Sequence, residues 1–367
     1  MFLRDGIVAP DSQADIRGEP QRECGELPTA WGAADGEELG EGIDDEERRD
    51  VRACRSRHVE PQDRDDRAGI HASGHMDGPS SSQASFTPTG LDALPPADVA
   101  RKAAAVGVAK AGMPALDVFV LSVLAGAFIA LGAAFATTVG SGGADVPYGV
   151  LRLLVGLAFT LGLILVIVAG AELFTGNNLI VMAWAGRSVS SASLLRNWGL
   201  VYAGNFVGAF ATALLVFLSK QYTFGGGQVG VTALTIASTK TGLGFGQAIV
   251  LGLLCNALVC LAVWLTYGAH TTADKILAII PPIAAFVALG FEHSVANMYF
   301  IPVALLIKTD GSWMDTTTGV PDVDGLTWGS FLSDNLLPVT IGNIVGGAIM
   351  VGAVYWFVYL RGRDTGA

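Results

Sequence analysis

Six segments of this chain are long and apolar enough to cross a lipid bilayer, at roughly 116–139, 149–171, 197–219, 245–267, 276–307 and 335–360. A spanning helix needs about 20 apolar residues. Soluble core helices are rarely this long or this free of charge, so six in succession exclude a soluble globular fold. In hydrocarbon each backbone N–H and C=O must be satisfied within its own segment, which makes the spans helical and the fold class all-α membrane protein. The fifth segment is roughly a third longer than the others, which suits a helix broken at its middle.

Ionisable side chains are nearly absent from the six segments. Asp117, Arg152, Lys220 and Lys308 sit at segment ends, where they reach the interface. Only Glu172, Glu292 and His293 lie deep, and they belong to two matching interruptions. The first reads Gly170-Ala171-Glu172-Leu173-Phe174-Thr175-Gly176-Asn177; the second reads Gly290-Phe291-Glu292-His293-Ser294-Val295-Ala296-Asn297. Gly, Glu and Asn fall at the same offsets in both. Polar, helix-breaking residues survive in hydrocarbon only where they face a cavity or a bundle interior. Paired interruptions in two halves point to a solute pathway at the repeat interface. The repeat extends further, because Gly204-Asn205-Phe206-Val207-Gly208 and Gly342-Asn343-Ile344-Val345-Gly346 share a small-xxx-small pattern that lets helix backbones approach. Spans one to three and four to six thus read as two copies. Three spans is an odd number, so the copies are inverted in the membrane, with spans two and five broken.

The charge is concentrated elsewhere. Residues 1–75 hold 10 Lys/Arg and 19 Asp/Glu, while the remaining 292 residues hold 12 and 14. Residues 1–90 have no sustained apolar periodicity and read as a disordered acidic tail, distinct from a channel domain at 91–367. Translation starting near Met76 is the other reading of that segment. A short helical stretch is expected at about 96–112. Cys24 and Cys54 lie in the tail, and Cys255 and Cys260 share one apolar segment; the spacing supports neither a metal site nor a disulfide framework, and no cofactor is implied. Eight flanking Lys/Arg (Arg101, Lys102, Lys110, Arg187, Arg196, Lys275, Arg361, Arg363) fall on one side of the membrane and four (Arg152, Lys220, Lys240, Lys308) on the other. The positive-inside rule then places both termini in the cytoplasm.

His293 is the sharpest single residue, because an imidazole at membrane depth can hydrogen-bond an anion or exchange a proton with it. Glu172 and Glu292 read as structural groups that accept hydrogen bonds from N–H groups freed at the breaks, since two carboxylates lining an anion route would repel the anion. Thr175, Asn177, Asn178, Ser294 and Asn297 supply hydroxyls and amides where helical hydrogen bonds are lost. Half-helix N-termini at mid-membrane carry partial positive charge and favour a small anion over a cation. An enzyme built on Glu172, Glu292 and His293 would need a nucleophile or a metal-ligand set, and the sequence offers neither.

The run Ala171-Glu172-Leu173-Phe174-Thr175-Gly176-Asn177, the pairs Asn197-Trp198 and Gly204-Asn205, the run Gly290 to Met298, and Pro338-Val339-Thr340-Ile341-Gly342-Asn343 resemble the formate/nitrite transporter family. The resemblance covers about 100–362. It implies an aquaporin-like fold in a homopentamer of the inner membrane, with one pore in each protomer. It also implies passage of small monovalent anions such as formate, nitrite or hydrosulfide. On this resemblance His293 is the central histidine and Thr175 its partner. Phe159, Leu163 and Phe286 form apolar constrictions, with Phe174 and Val259 on the cytoplasmic side. Asn256 and Asn343 are pore-lining amides, and Lys240 is a vestibule lysine that attracts anions. Without the resemblance, Phe159, Leu163 and Phe286 read as ordinary packing. The last helix looks most like that of formate channels, which favours formate over nitrite or hydrosulfide. An aquaporin-type pore for neutral solutes is the alternative from another class, but it lacks the two Asn-Pro-Ala motifs expected there.

Overall fold

The computed structural model describes residues 92–362. The acidic segment 1–90, with Cys24, Cys54 and Met76, lies outside the described residues. Helix α1 (Pro96–Gly112) occupies the expected short stretch; Asp98 in its first turn and Lys110 in its last complement the helix dipole. Helices α2 (Ala115–Gly140) and α3 (Tyr148–Val168) are the first two spans. The chain then breaks at 169–173 and continues as a short half-span, Phe174–Asn177, Asn178–Ile180 and Val181–Ala185. Helix α4 (Ser191–Leu218) is the third span, its start capped by Ser190 Oγ, which accepts from Ser193 N at 3.1 Å.

The second half repeats the plan. Helix α5 (Gln228–Thr241) corresponds to α1, α6 (Phe245–Gly268) is the fourth span, and α7 (Thr272–Ala288) and α8 (Ser294–Lys308) are the two pieces of the fifth. Helix α9 (Trp328–Tyr359) is the sixth. Among the described residues five helices are continuous and long enough to cross a membrane; the fifth span is divided by a break at 289–293, in keeping with its length. Both breaks open on a left-handed glycine, Gly170 at φ 79° and Gly290 at φ 75°. An L-residue pays a steric penalty there, so the chain leaves the helix where glycine permits it.

Two features go beyond the six apolar segments. Helix α5 stands between spans three and four, with Val229, Gly230, Ala233, Leu234 and Ala237 buried at helical spacing. The last span is not a uniform α-helix, because Phe331–Leu336 and Val345–Ala353 are π-helical. Pro338 follows the first of these, and a proline removes a donor from the helical ladder, which disturbs the turn before it.

The Gly-Asn-x-Val-Gly repeats set the packing. A Cβ on Gly208 would stand 1.9 Å from Val123 O in α2, and one on Gly346 would stand 2.1 Å from Leu253 O in α6. Contacts this close admit only glycine, so α4 on α2 and α9 on α6 meet backbone to backbone. Leu116, Leu153, Leu215, Leu265 and Phe357 are exposed on the outer face, as lipid-facing side chains are. Beyond α8, a strap over 309–327 returns across α5: Lys308 Nζ donates to Val323 O (2.6 Å) and Leu326 O (3.1 Å), and Asp310 accepts from Tyr222 Oη (2.5 Å) and Lys220 Nζ (3.1 Å).

Candidate functional site

Each break exposes backbone donors that must be satisfied, and the same solution appears twice. In the first half Glu172 N donates to Leu121 O (3.2 Å) and Phe174 N to Asn205 Oδ1 (2.9 Å). Asn205 Nδ2 donates in turn to Ser122 O (2.8 Å) and Glu172 O (2.9 Å). In the second half Glu292 N donates to Leu251 O (3.3 Å), Ser294 N to Asn343 Oδ1 (2.9 Å), and Asn343 Nδ2 to Gly252 O (2.8 Å) and Glu292 O (2.9 Å). The asparagine of each Gly-Asn-x-Val-Gly repeat therefore pins a broken segment to the bundle. An unsatisfied backbone group in hydrocarbon costs several kcal/mol, which is why an amide stands at each position.

The two glutamates have different partners from those expected. Instead of freed backbone N–H groups, each binds a lysine and an asparagine. Glu172 accepts from Lys110 Nζ (2.7 Å) and Asn177 Nδ2 (2.7 Å); Glu292 accepts from Lys240 Nζ (2.8 Å) and Asn297 Nδ2 (2.7 Å). A second asparagine closes each cluster. Asn197 Oδ1 accepts from Asn177 Nδ2 (3.0 Å) while its Nδ2 donates to Lys110 O (3.1 Å); Asn335 Oδ1 accepts from Asn297 Nδ2 (2.7 Å) while its Nδ2 donates to Lys240 O (3.0 Å). A buried carboxylate is tolerable only when paired. By sequence position Lys110 is only a flanking charge, and nothing local distinguishes Asn335. The signal for both was their repeat-equivalence to Lys240 and Asn197.

Two cavities flank the breaks. One, of about 310 Å³, is lined by Arg152, Phe159, Lys240, Phe286, Glu292 and His293, with Asn297 and Phe300. The other, of about 340 Å³, is lined by Lys102, Lys110, Leu163, Glu172, Gly176 and Lys275, with Asn177 and Tyr267. The first lies at the start of α3 and the end of α7; the second lies at the end of α3 and the start of α7. They therefore face opposite ends of these helices. Phe159 and Leu163, one helical turn apart on α3 and each only 2% exposed, line one cavity each. The apolar partition falls between them. Phe286 meets Phe159 edge-on at 5.6 Å, and the His293 ring lies along Phe286 at 6.0 Å.

His293 stands at this partition as the N-cap of α8. Its Nδ1 accepts from Ala296 N at 3.1 Å. That bond makes Nδ1 an acceptor, so the neutral ring carries its proton on Nε2, 3.0 Å from Thr175 Oγ1. The two break loops are thus joined through their central side chains.

A family profile described as formate/nitrite transporter matches residues 97–357. The formate channel FocA of Escherichia coli strain K12 is 43% identical over 277 residues, covering 75% of this chain and 97% of that protein. A probable formate transporter of Methanothermobacter thermautotrophicus is 40% identical over 284 residues, covering 72% and 97%. Among solved structures, a pentameric formate channel with formate bound is similar at a TM-score of 0.62 and 41% identity, covering 67% of this chain and 98% of that one. The chain belongs to the formate/nitrite transporter family. It is accordingly a multi-pass membrane protein of a transporter and channel family, not an enzyme.

The remaining residues that the family resemblance singled out fall in several places. Phe174 is buried against Tyr202 (4.8 Å) and Trp198 (6.1 Å). Val259 is buried. Asn256 Nδ2 donates to Asn178 Oδ1 (2.7 Å), Asn343 O (2.7 Å) and Thr175 O (3.3 Å). Asn256 and Asn343, expected to line the pore, line neither of the two cavities; both hold backbone in place around the breaks. Lys240 does line a cavity, with its ammonium on Glu292 and 5.4 Å from the Phe300 ring.

Proposed function

We propose that this protein is a channel for formate and related small monovalent anions, one pore per protomer, bidirectional, with a pH dependence set at His293. The observation that carries the reading is the junction of His293 and Thr175 at an apolar partition between two lysine-bearing cavities. The names of the similar proteins in Escherichia coli and Methanothermobacter thermautotrophicus favour formate as the solute.

The steps follow from the residues. Lys240 and Arg152 on one side, and Lys110, Lys102 and Lys275 on the other, outnumber the single glutamate of each cavity and raise the local anion concentration there. A bare anion is strongly disfavoured between Phe159, Leu163 and Phe286, because a charge in an apolar ring loses its hydration. His293 Nε2–H donates to the anion oxygen in place of Thr175 Oγ1. When Nδ1 takes up a proton from the cavity, its bond to Ala296 N is released, and the imidazolium passes the Nε2 proton to the anion. A neutral acid then crosses, and the proton leaves with it on the far side; the ring, left with its proton on Nδ1, returns to the Nε2–H tautomer by giving that proton up to the cavity and taking one at Nε2. The inverted arrangement of the two halves supports passage in both directions. On the positive-inside rule both termini are cytoplasmic, which places the Lys110 cavity on the cytoplasmic side. The solved relative is pentameric, and we assign this chain the same assembly in an inner membrane.

The test is flux into proteoliposomes carrying the full chain, at pH 5 and at pH 7, the range over which histidine titrates. Formate, nitrite, hydrosulfide and glycerol are compared. Formate flux that rises strongly at the lower pH supports the reading. Nitrite or hydrosulfide moving faster than formate reassigns the solute. Glycerol moving while formate does not replaces the anion channel with a neutral-solute pore.

A further inference from the structure

The two halves share the lysine–glutamate–asparagine cluster and differ at the amide oxygen of the break asparagine; Asn335 Nδ2 also donates to Glu292 Oε2 (3.2 Å), a bond Asn197 does not make to Glu172 among the described residues. In the first, Lys110 Nζ donates to both Glu172 Oε1 (2.7 Å) and Asn177 Oδ1 (3.0 Å). In the second, Lys240 Nζ donates to Glu292 Oε1 (2.8 Å), and Asn297 Oδ1 is left with no donor among the described residues. Asn297 is fully buried. Two other buried side-chain atoms share that condition, Asn178 Nδ2 and Ser294 Oγ, but of the three residues only Asn297 lines one of the two cavities. Its Nδ2 is held by Glu292 and Asn335, so the oxygen is the atom of this amide left for a solute.

An ammonium has three N–H donors, and Glu292 takes one from Lys240. The cavity therefore offers unused donors on Lys240 and an unused acceptor on Asn297. We propose that Lys240 Nζ and Asn297 Oδ1 form a donor–acceptor pair that holds an undissociated small carboxylic acid, carbonyl to the lysine and hydroxyl to the amide. An ionised carboxylate presents only acceptors and would set one oxygen against Asn297 Oδ1, so only the acid satisfies both groups at once. The other charged or titratable side chains lining the cavity are Arg152, Glu292 and His293. Arg152 is engaged with Ala288 O and Val287 O, Glu292 with its lysine and amides, and His293 with Thr175 and Ala296. The proposal rests on the transport reading in one respect: the acid formed at His293 is what this pair would receive or deliver.

Two neutral probes separate the donor from the acceptor. Formamide carries a carbonyl and an N–H; methyl formate carries a carbonyl and no donor. In ligand-detected NMR titrations of the full chain in detergent, formamide is expected to bind about tenfold more tightly, the value of one buried hydrogen bond. Asn297→Ala is expected to erase the difference, and Asn177→Ala, the matching change in the other half, to leave it intact. Equal binding of the two probes, or equal loss in both variants, overturns the proposal. Where Asn297→Ala does not fold, the wild-type comparison decides alone. Absence of formate flux with the probe difference intact defeats the transport reading and spares the pair; flux with equal probe binding does the reverse.

Discussion

An imidazole whose Nδ1 accepts from a backbone N–H has a single proton to offer, on the nitrogen that faces its partner. For His293 that geometry is fixed by Ala296 N on one side and Thr175 Oγ1 on the other. Asparagine can present an N–H from a similar position but cannot take up a proton. His293→Asn is therefore expected to remove the rise of formate flux between pH 7 and pH 5 while leaving a folded protein, as read by flux and size-exclusion profile. Unchanged pH dependence would move the proton step away from this residue. At Gly170 and Gly290 the argument is conformational. A methyl group on Gly170 meets nothing within 4 Å and one on Gly290 meets only Arg152 at 3.6 Å, yet both residues sit at positive φ. Each alanine variant is expected to lose about 1–2 kcal/mol from left-handed backbone strain alone, read as a lowered melting midpoint in detergent. These glycines were legible in the sequence because they recur at one offset before each glutamate. The tautomer of His293 was not, since it depends on which backbone N–H a break loop brings to its ring.

At the scale of elements, the breaks are held by ion pairs that reach across them. Lys240 belongs to α5 and Glu292 to the fifth-span break, and the lysine side chain is only 14% exposed. Removing one member leaves an uncompensated charge on a largely buried side chain. Lys240→Met is expected to destabilise the protein by roughly 3–5 kcal/mol, and Lys240→Met with Glu292→Gln to recover most of that loss. Thermal unfolding of the single and double variants decides it; equal melting of all forms would mean that the pair carries little. The strap offers a pH test outside the membrane. The Tyr222 hydroxyl beside Asp310, with Ser312 and Lys220, holds the Asp310 carboxyl well below the usual carboxylate range. A depressed folded-state pKa means a contribution present above the unfolded value of about 3.9 and lost as pH falls through the lower folded value. The strap should therefore stay closed through mild acid and loosen only in strong acid. Trp313, edge-on to Tyr222 at 5.2 Å, reports this by fluorescence. In Asp310→Asn the acid transition is expected to disappear.

For the whole molecule, the inverted repeat sets two cavities back to back with a partition of side chains from α3 and α7 between them. The outer faces of the spans carry exposed apolar side chains, which serve lipid and neighbouring protomers alike. The proposed pentamer is checked by native mass spectrometry of the full chain in detergent, where five protomer masses are expected and a monomer would remove the assembly from the reading.

The number of spans, the two broken helices, the inversion of the halves and the deep histidine followed from the sequence, because each is a local cost in hydrocarbon that the residues announce. A glycine, a glutamate or a histidine inside an apolar run needs a reason wherever the run ends up. The roles of the uncharged amides did not follow. Asn205, Asn256, Asn343 and Asn335 look alike in a sequence, and only the packing of α4 on α2 and α9 on α6 determines which backbone group each one meets. Likewise the pairing of Lys110 with Glu172 and of Lys240 with Glu292 spans 62 and 52 residues. Such pairs form only once the helices have folded around the breaks, so tertiary structure alone selected them.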